Sequence, residues 1–132
     1  MHNMSNSKVV VFIDDEANNI RVMKRAFNSR KQWELHTFLL PQDALDMFKA
    51  GDLDPELVIT DQNMPIKLGY ELLKELKTSH PKTFRVLTTA NEDIIKKIAE
   101  GSEFSNVVNA VLFKPWSRDK IDEVLNNFER HS

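Results

Sequence analysis

The chain of 132 residues has no cysteine, which excludes disulfides, thiolate metal sites and cysteine nucleophiles together. It also lacks a surplus of positive charge. Eighteen Lys and Arg stand against 20 Asp and Glu, for a net charge of −2. Proteins that grip phosphate backbones carry a basic excess, so no direct nucleic-acid partner is expected. Long apolar runs are missing as well. The longest, Val9 to Ile13, falls far short of the roughly 20 residues that cross a bilayer, so no membrane partner is expected either. Residues 1–8 lack the apolar centre of a secretory signal. These absences lead to the expectation of a cytoplasmic protein, with residues 1–7 a flexible N-terminal segment and residues 8–130 a single domain. A domain of this length buries about two-thirds of its unfolded surface and needs no cross-link.

What is present alternates between two periods. Val9–Ile13, Leu57–Thr60, Arg85–Thr88 and Ala110–Phe113 are apolar runs of strand length, and Leu35–Leu40 is a weaker fifth. Helical spacing fills the intervals. Ile20, Met23 and Phe27 share one face. Pro41 opens a segment carrying Ala44, Leu45 and Phe48 that Gly51 closes. Leu72, Leu73 and Leu76 share a third face, ended by Pro81; Ile94, Ile95, Ile98 and Ala99 a fourth, ended by Gly101. Ser117 caps a last helix carrying Ile121, Val124, Leu125 and Phe128. Only the segment from Ser102 to Asn109 stays unplaced, with room for one extra turn. Five βα units in sequence predict an α/β fold: a doubly wound, five-stranded parallel sheet of order 2-1-3-4-5, flavodoxin-like.

The strand ends carry the chemistry. The first runs into Asp14-Asp15, the third into Asp61, the fourth into Thr89 and the fifth into Lys114-Pro115. In a parallel sheet these ends share one edge, where open α/β sheets bind ligands. Three carboxylates there need a cation or shifted pKa values, since two at about 4 Å repel by about 4 kcal/mol at an effective dielectric near 20. Lys114 offsets one charge. An all-oxygen set without His or Cys suits a hard divalent ion, and few carboxylates with room for water favour Mg²⁺ over Ca²⁺. Mg²⁺ beside a Lys and a Thr is equipment for phosphoryl transfer.

Each residue also has a simpler explanation. Asp15 suits a helix cap, Asp61 a turn toward Pro65, Thr89 a strand interior, and Lys114 a chain reaching solvent. Singly these explanations win or tie; their convergence on one edge defeats them. The basic cluster Lys24, Arg25, Arg30 and Lys31 reads as a solvated helix end.

These residues resemble the receiver domains of two-component response regulators over essentially the whole chain. Asp14-Asp15 is similar to the family's acidic pair. Asp61-Gln62-Asn63-Met64-Pro65 with Gly69 is similar to its phosphorylation motif, Thr89-Ala90 to its Thr/Ser-Ala pair, and Lys114-Pro115 to its Lys-Pro. Gly101 with Lys114-Pro115-Trp116 resembles a KPW-type subgroup often linked to HD-GYP or cyclic-di-GMP enzymes. The resemblance implies a domain that is not an enzyme beyond its own phosphorylation and dephosphorylation. It implies that Asp61 accepts a phosphoryl group from a sensor histidine kinase or phosphotransfer protein, giving an aspartyl phosphate. It implies Mg²⁺ held by Asp14, Asp15, Asp61 and the backbone carbonyl of Asn63. Lys114, Thr89 and the backbone N–H of Ala90 would bind phosphoryl oxygens. The Lys114–Pro115 peptide would be cis, and Asn63 and Asn91 match positions that tune phosphoryl lifetime. Phosphorylation would switch the surface of the fourth helix, fifth strand and last helix toward a downstream output protein or domain.

The chain departs from the family at three positions. Val111 stands where many members carry Tyr or Phe, and Phe113 is expected on the opposite face of that strand. Lys67 and Leu68 replace the usual pair before Gly69. Val111 keeps open a pseudo-receiver that binds partners without phosphorylation. A Mg²⁺-dependent aspartyl-phosphate phosphohydrolase of haloacid-dehalogenase type would need a second Asp where Asn63 stands. A flavodoxin-like cofactor binder would need a Gly-rich phosphate loop where Asp14-Asp15-Glu16 stands. A stand-alone receiver and a fragment of a longer regulator read alike.

Overall fold

The computed structural model describes residues 7–101 and 103–131. The segment expected to be flexible, residues 1–7, lies outside them except for Ser7. The strands are β1 (Lys8–Ile13), β2 (Trp33–Phe38), β3 (Leu57–Asp61), β4 (Phe84–Thr89) and β5 (Ala110–Phe113). The helices are α1 (Ala17–Phe27), α2 (Pro41–Ala50), α3 (Gly69–Ser79), α4 (Glu92–Ala99), α5 (Phe104–Val107) and α6 (Arg118–His131). The sheet runs β2-β1-β3-β4-β5, and every neighbouring pair is parallel. The expected doubly wound order is therefore present.

Strand alternation divides the core in two. Val10 and Phe12 of β1, with Leu57, Ile59, Val86 and Leu112, face α1 and α6 through Met23, Phe27, Ile121, Val124 and Phe128. Val11 and Ile13, with Val58 and Leu87, face α2 and α3 through Ala44, Leu45, Phe48, Leu72, Leu73 and Leu76. A strand covered on both faces has no polar side, which is why these runs are apolar throughout. Each large apolar side chain so buried contributes about 1.5–3 kcal/mol. That layering fixes where the strand ends fall.

Two expectations are corrected. β2 lies two residues earlier than Leu35–Leu40. Trp33 is buried, edge-on to Phe27 and Phe128 with centroids 6.4 and 5.3 Å away, while Leu39 and Leu40 are exposed beyond the strand. Phe113 does not face away from Val111, because residues two apart in a strand share a side. Pairing in register with Thr89 also sets Phe113 beside that residue.

The unplaced segment contains α5. Its C-terminal end is held by Arg85, whose guanidinium donates to the carbonyls of Val107 (2.7 Å), Asn106 (3.1 Å), Thr83 (2.8 Å) and Pro81 (3.2 Å). Burial lowers the Arg85 pKa. Phe104 of α5 stacks on Tyr70 of α3, with centroids 6.4 Å apart. The left-handed turn closing α2 falls at Gly51, with φ 78°, as the Pro-to-Gly spacing predicts. Among the described residues, no helix is long and apolar enough to cross a membrane.

Candidate phosphoacceptor site

β1, β3, β4 and β5 are consecutive across the sheet, so their carboxyl ends deliver Asp14, Asp61, Thr89 and Lys114 to one edge. Asp14, Asp15 and Asp61 each offer a carboxylate oxygen within 4.8 Å of the others. The Lys114 ammonium lies 2.8 Å from Asp61 Oδ1 and 3.7 Å from Asp14 Oδ2. Asp14, Asp61 and Thr89 are buried, whereas Asp15 is exposed. The cluster thus opens to solvent on the Asp15 side. Asn63 and Ala90 sit in the loops directly after β3 and β4, both exposed.

Local structure explains how a buried Asp14 is kept in place. Its Oδ1 accepts from the Glu16 backbone N–H at 2.9 Å, and its Oδ2 accepts from Asn19 Nδ2 at 2.9 Å. Glu16, not Asp15, is the N-cap of α1, so the capping explanation for Asp15 does not apply. Burial raises the Asp14 pKa. The Glu16 hydrogen bond opposes that rise, Asp61 adds to it, and Lys114 and Asn19 oppose it.

Asp61 is the last residue of β3, and the chain turns tightly behind it. A Cβ on Gly69 would collide with the Asp61 carbonyl, so only glycine allows α3 to start so close. The buried Gln62 locks the turn. Its N–H donates to Thr88 O (3.0 Å), its carbonyl accepts from Gly69 N (3.0 Å), and its side-chain Oε1 accepts from Tyr70 N (2.9 Å). Lys114 is tied likewise, its backbone N–H donating to Thr89 O at 2.9 Å. The Lys114–Pro115 peptide is cis.

The Thr89 hydroxyl accepts from Asn91 N at 3.1 Å, and Asn91 Oδ1 caps α4 by accepting from Asp93 N and Ile94 N. Lys67 adds no charge to the cluster, since its ammonium pairs with Glu75 of α3. Val111 is half-buried against the α2–α3 side of the core. Sequence reasoning missed the supporting residues Asn19, Gln62, Thr88 and Arg85. None carries a spacing signal, because each acts through a contact made only in the folded chain.

An all-oxygen cluster with a half-buried ammonium beside it can hold a hard divalent cation and can neutralise an incoming phosphoryl oxygen.

Comparison with known proteins identifies the family and the fold. Residues 10–126 match the family model described as the response regulator receiver domain. Chemotaxis protein CheY-3 of Vibrio cholerae is 30% identical, with 95% of this chain and 94% of that protein covered. Regulatory protein AtoC of Escherichia coli is 31% identical over 64% of this chain, which spans 18% of its length. The signal receiver domain of an HD domain-containing protein from Pseudomonas fluorescens Pf-5 superposes with a TM-score of 0.80 at 22% identity, covering 96% of this chain and 90% of that one. A BeF3-activated DrrB receiver domain superposes with a TM-score of 0.77 at 20% identity, covering 94% and 98%.

Proposed function

The chain belongs to the response regulator receiver domain family, and from that premise we propose that residues 8–130 form a cytoplasmic phosphoacceptor switch with Asp61 as its acceptor. The observation that carries this reading is the 2.8 Å contact of Lys114 Nζ with Asp61 Oδ1, inside a set of three carboxylates within 4.8 Å. A buried anion already paired with an ammonium, and open on one side, has the arrangement a nucleophile toward phosphorus needs.

In the reaction, an Asp61 carboxylate oxygen attacks the phosphorus of a phosphohistidine on a sensor kinase or phosphotransfer protein. The P–O bond forms as the P–N bond breaks, and the electron pair returns to the imidazole. Asp14, Asp15, Asp61 and the Asn63 carbonyl would hold Mg²⁺, which when bound neutralises phosphoryl charge. The donor set fits that ion, being oxygen only. Lys114 shifts from the carboxylate to a phosphoryl oxygen, while the Thr89 hydroxyl and Ala90 N–H donate to others. The added charge, close to two units, then biases the face of α4, β5 and α6 toward a downstream output protein. The domain signals and does not turn over a substrate.

Incubation with acetyl phosphate, followed by intact mass, tests this reading. One phosphoryl group is gained by the wild type with Mg²⁺, and none by Asp61→Asn or after chelation. A wild type that gains nothing under any condition returns the pseudo-receiver reading.

A further inference from the structure

Lys114 sits at the start of a loop, on a flexible four-carbon stem, yet its ammonium must meet Asp61 and later a phosphoryl oxygen. A lysine so placed needs something to hold it. Two residues on, the Trp116 indole is held by a hydrogen bond and a ring contact. Its Nε1–H donates to Thr88 Oγ1 at 2.8 Å, and Thr88, fully buried, donates in turn to the Leu112 carbonyl at 2.5 Å. Its ring meets Phe12 of β1 edge-on, with centroids 5.5 Å apart at 82°. The Lys114 ammonium lies over that ring, 5.7 Å from the centroid.

We infer that Trp116 is a positioning residue for Lys114, anchored through Thr88, and that it sets the speed of phosphoryl transfer to Asp61. The inference rests on the proposed function of the same site. The ammonium meets the Asp61 and Asp14 carboxylates and also the indole face, which attracts a cation through its quadrupole. The carboxylates alone leave the stem free to swing outward; the indole closes that route. Alternation along β4 sets Thr88 and Thr89 on opposite faces. One strand end therefore presents a phosphoryl ligand on one face and the anchor of the lysine clamp on the other. Phe12 ties the clamp to β1, two residues before Asp14. An indole held this firmly narrows the lysine to productive geometry, and small displacements of a reacting group are costly in rate.

The test compares wild type, Trp116→Phe, Thr88→Val and the double variant, by initial rate of phosphoryl gain from acetyl phosphate and by Mg²⁺ affinity. Each single variant reacts roughly three- to tenfold more slowly, as loss of one neutral hydrogen bond allows. The double variant is no slower than the worse single one, and Mg²⁺ affinity stays within about twofold of wild type. A Trp116→Phe rate equal to wild type overturns the inference. So do multiplying effects, or a parallel fall in Mg²⁺ affinity, which mark general damage to the site. A wild type that takes no phosphoryl group defeats the proposed function instead. The clamp is then judged by NMR, where the Trp116 ring shifts the Lys114 ε-methylene protons upfield. That shift collapses in Thr88→Val if the clamp exists, and persists unchanged if it does not.

Discussion

Substituting Asp14 by Asn is expected to stabilise the metal-free protein, although it removes one partner of an ion pair. The Asp61 carboxylate, no more than 4.8 Å away, repels Asp14 by at least about 3.5 kcal/mol at an effective dielectric near 20. The Lys114 ammonium at 3.7 Å attracts it by about 4.5 kcal/mol on the same scale. These nearly cancel, so burial of the charge decides the sign, in keeping with an Asp14 pKa raised above its ordinary 3.8 mainly by desolvation. Asn is similar in shape and can still accept from Glu16 N, and the Asn19 amide, by turning its oxygen inward, can accept from the new Nδ2. Relief of a buried charge is worth on the order of 1 kcal/mol here, or about 4 °C in melting temperature. The sign with pH follows from linkage. A carboxyl whose folded pKa is raised favours folding below the unfolded value and loses that contribution as pH rises through the folded one. The advantage of Asp14→Asn is therefore smallest near pH 4 and grows as pH rises toward 7. Urea unfolding in EDTA, at pH 4 to 7.5, reads this directly. A variant less stable than wild type at pH 7, or an advantage as large at pH 4, refutes the reasoning.

Three further outcomes follow from the same geometry. Gly69→Ala sets a Cβ against the Asp61 backbone, costing about 1–3 kcal/mol in urea unfolding; unchanged stability would show that the turn can open. Arg85→Met strands the carbonyls of Pro81, Thr83, Asn106 and Val107, costing about 2–4 kcal/mol. Hydrogen exchange should then quicken over residues 104–109, and unaltered exchange there would count against Arg85 as the anchor of α5. Mg²⁺ at one hundred times its dissociation constant stabilises the wild type by about 2.7 kcal/mol, read as a rise in melting temperature. Asp61→Asn and Asp14→Asn gain clearly less, and an equal gain in both would place the ion elsewhere.

The sheet and its ligand edge were legible because covered strands must be apolar on both faces, and because the residues ending them, Asp14, Asp61, Thr89 and Lys114, are polar. β2 was misplaced by two residues for a physical reason. Trp33 enters a strand by packing on Phe128, almost a hundred positions away, whereas Leu39 and Leu40 are apolar but exposed. α5 is only one turn long and is held by Arg85 and Tyr70, so its own four residues carry little period. A charged residue at the start of a strand gives no sign that it is buried, and Arg85 shows it. The link from Trp116 to Thr88 spans 28 positions. It was invisible for the same reason, although it decides what the tryptophan after Lys-Pro does.

The most direct test of Asp61 as the acceptor is its covalent fate. After reaction with acetyl phosphate and Mg²⁺, borohydride reduction converts an aspartyl phosphate to homoserine, and peptide mass spectrometry locates it. Homoserine at position 61, and nowhere else, is the result predicted by the 2.8 Å pairing with Lys114. Homoserine at position 14 or 15, or none in a protein that has gained phosphoryl mass, would contradict it.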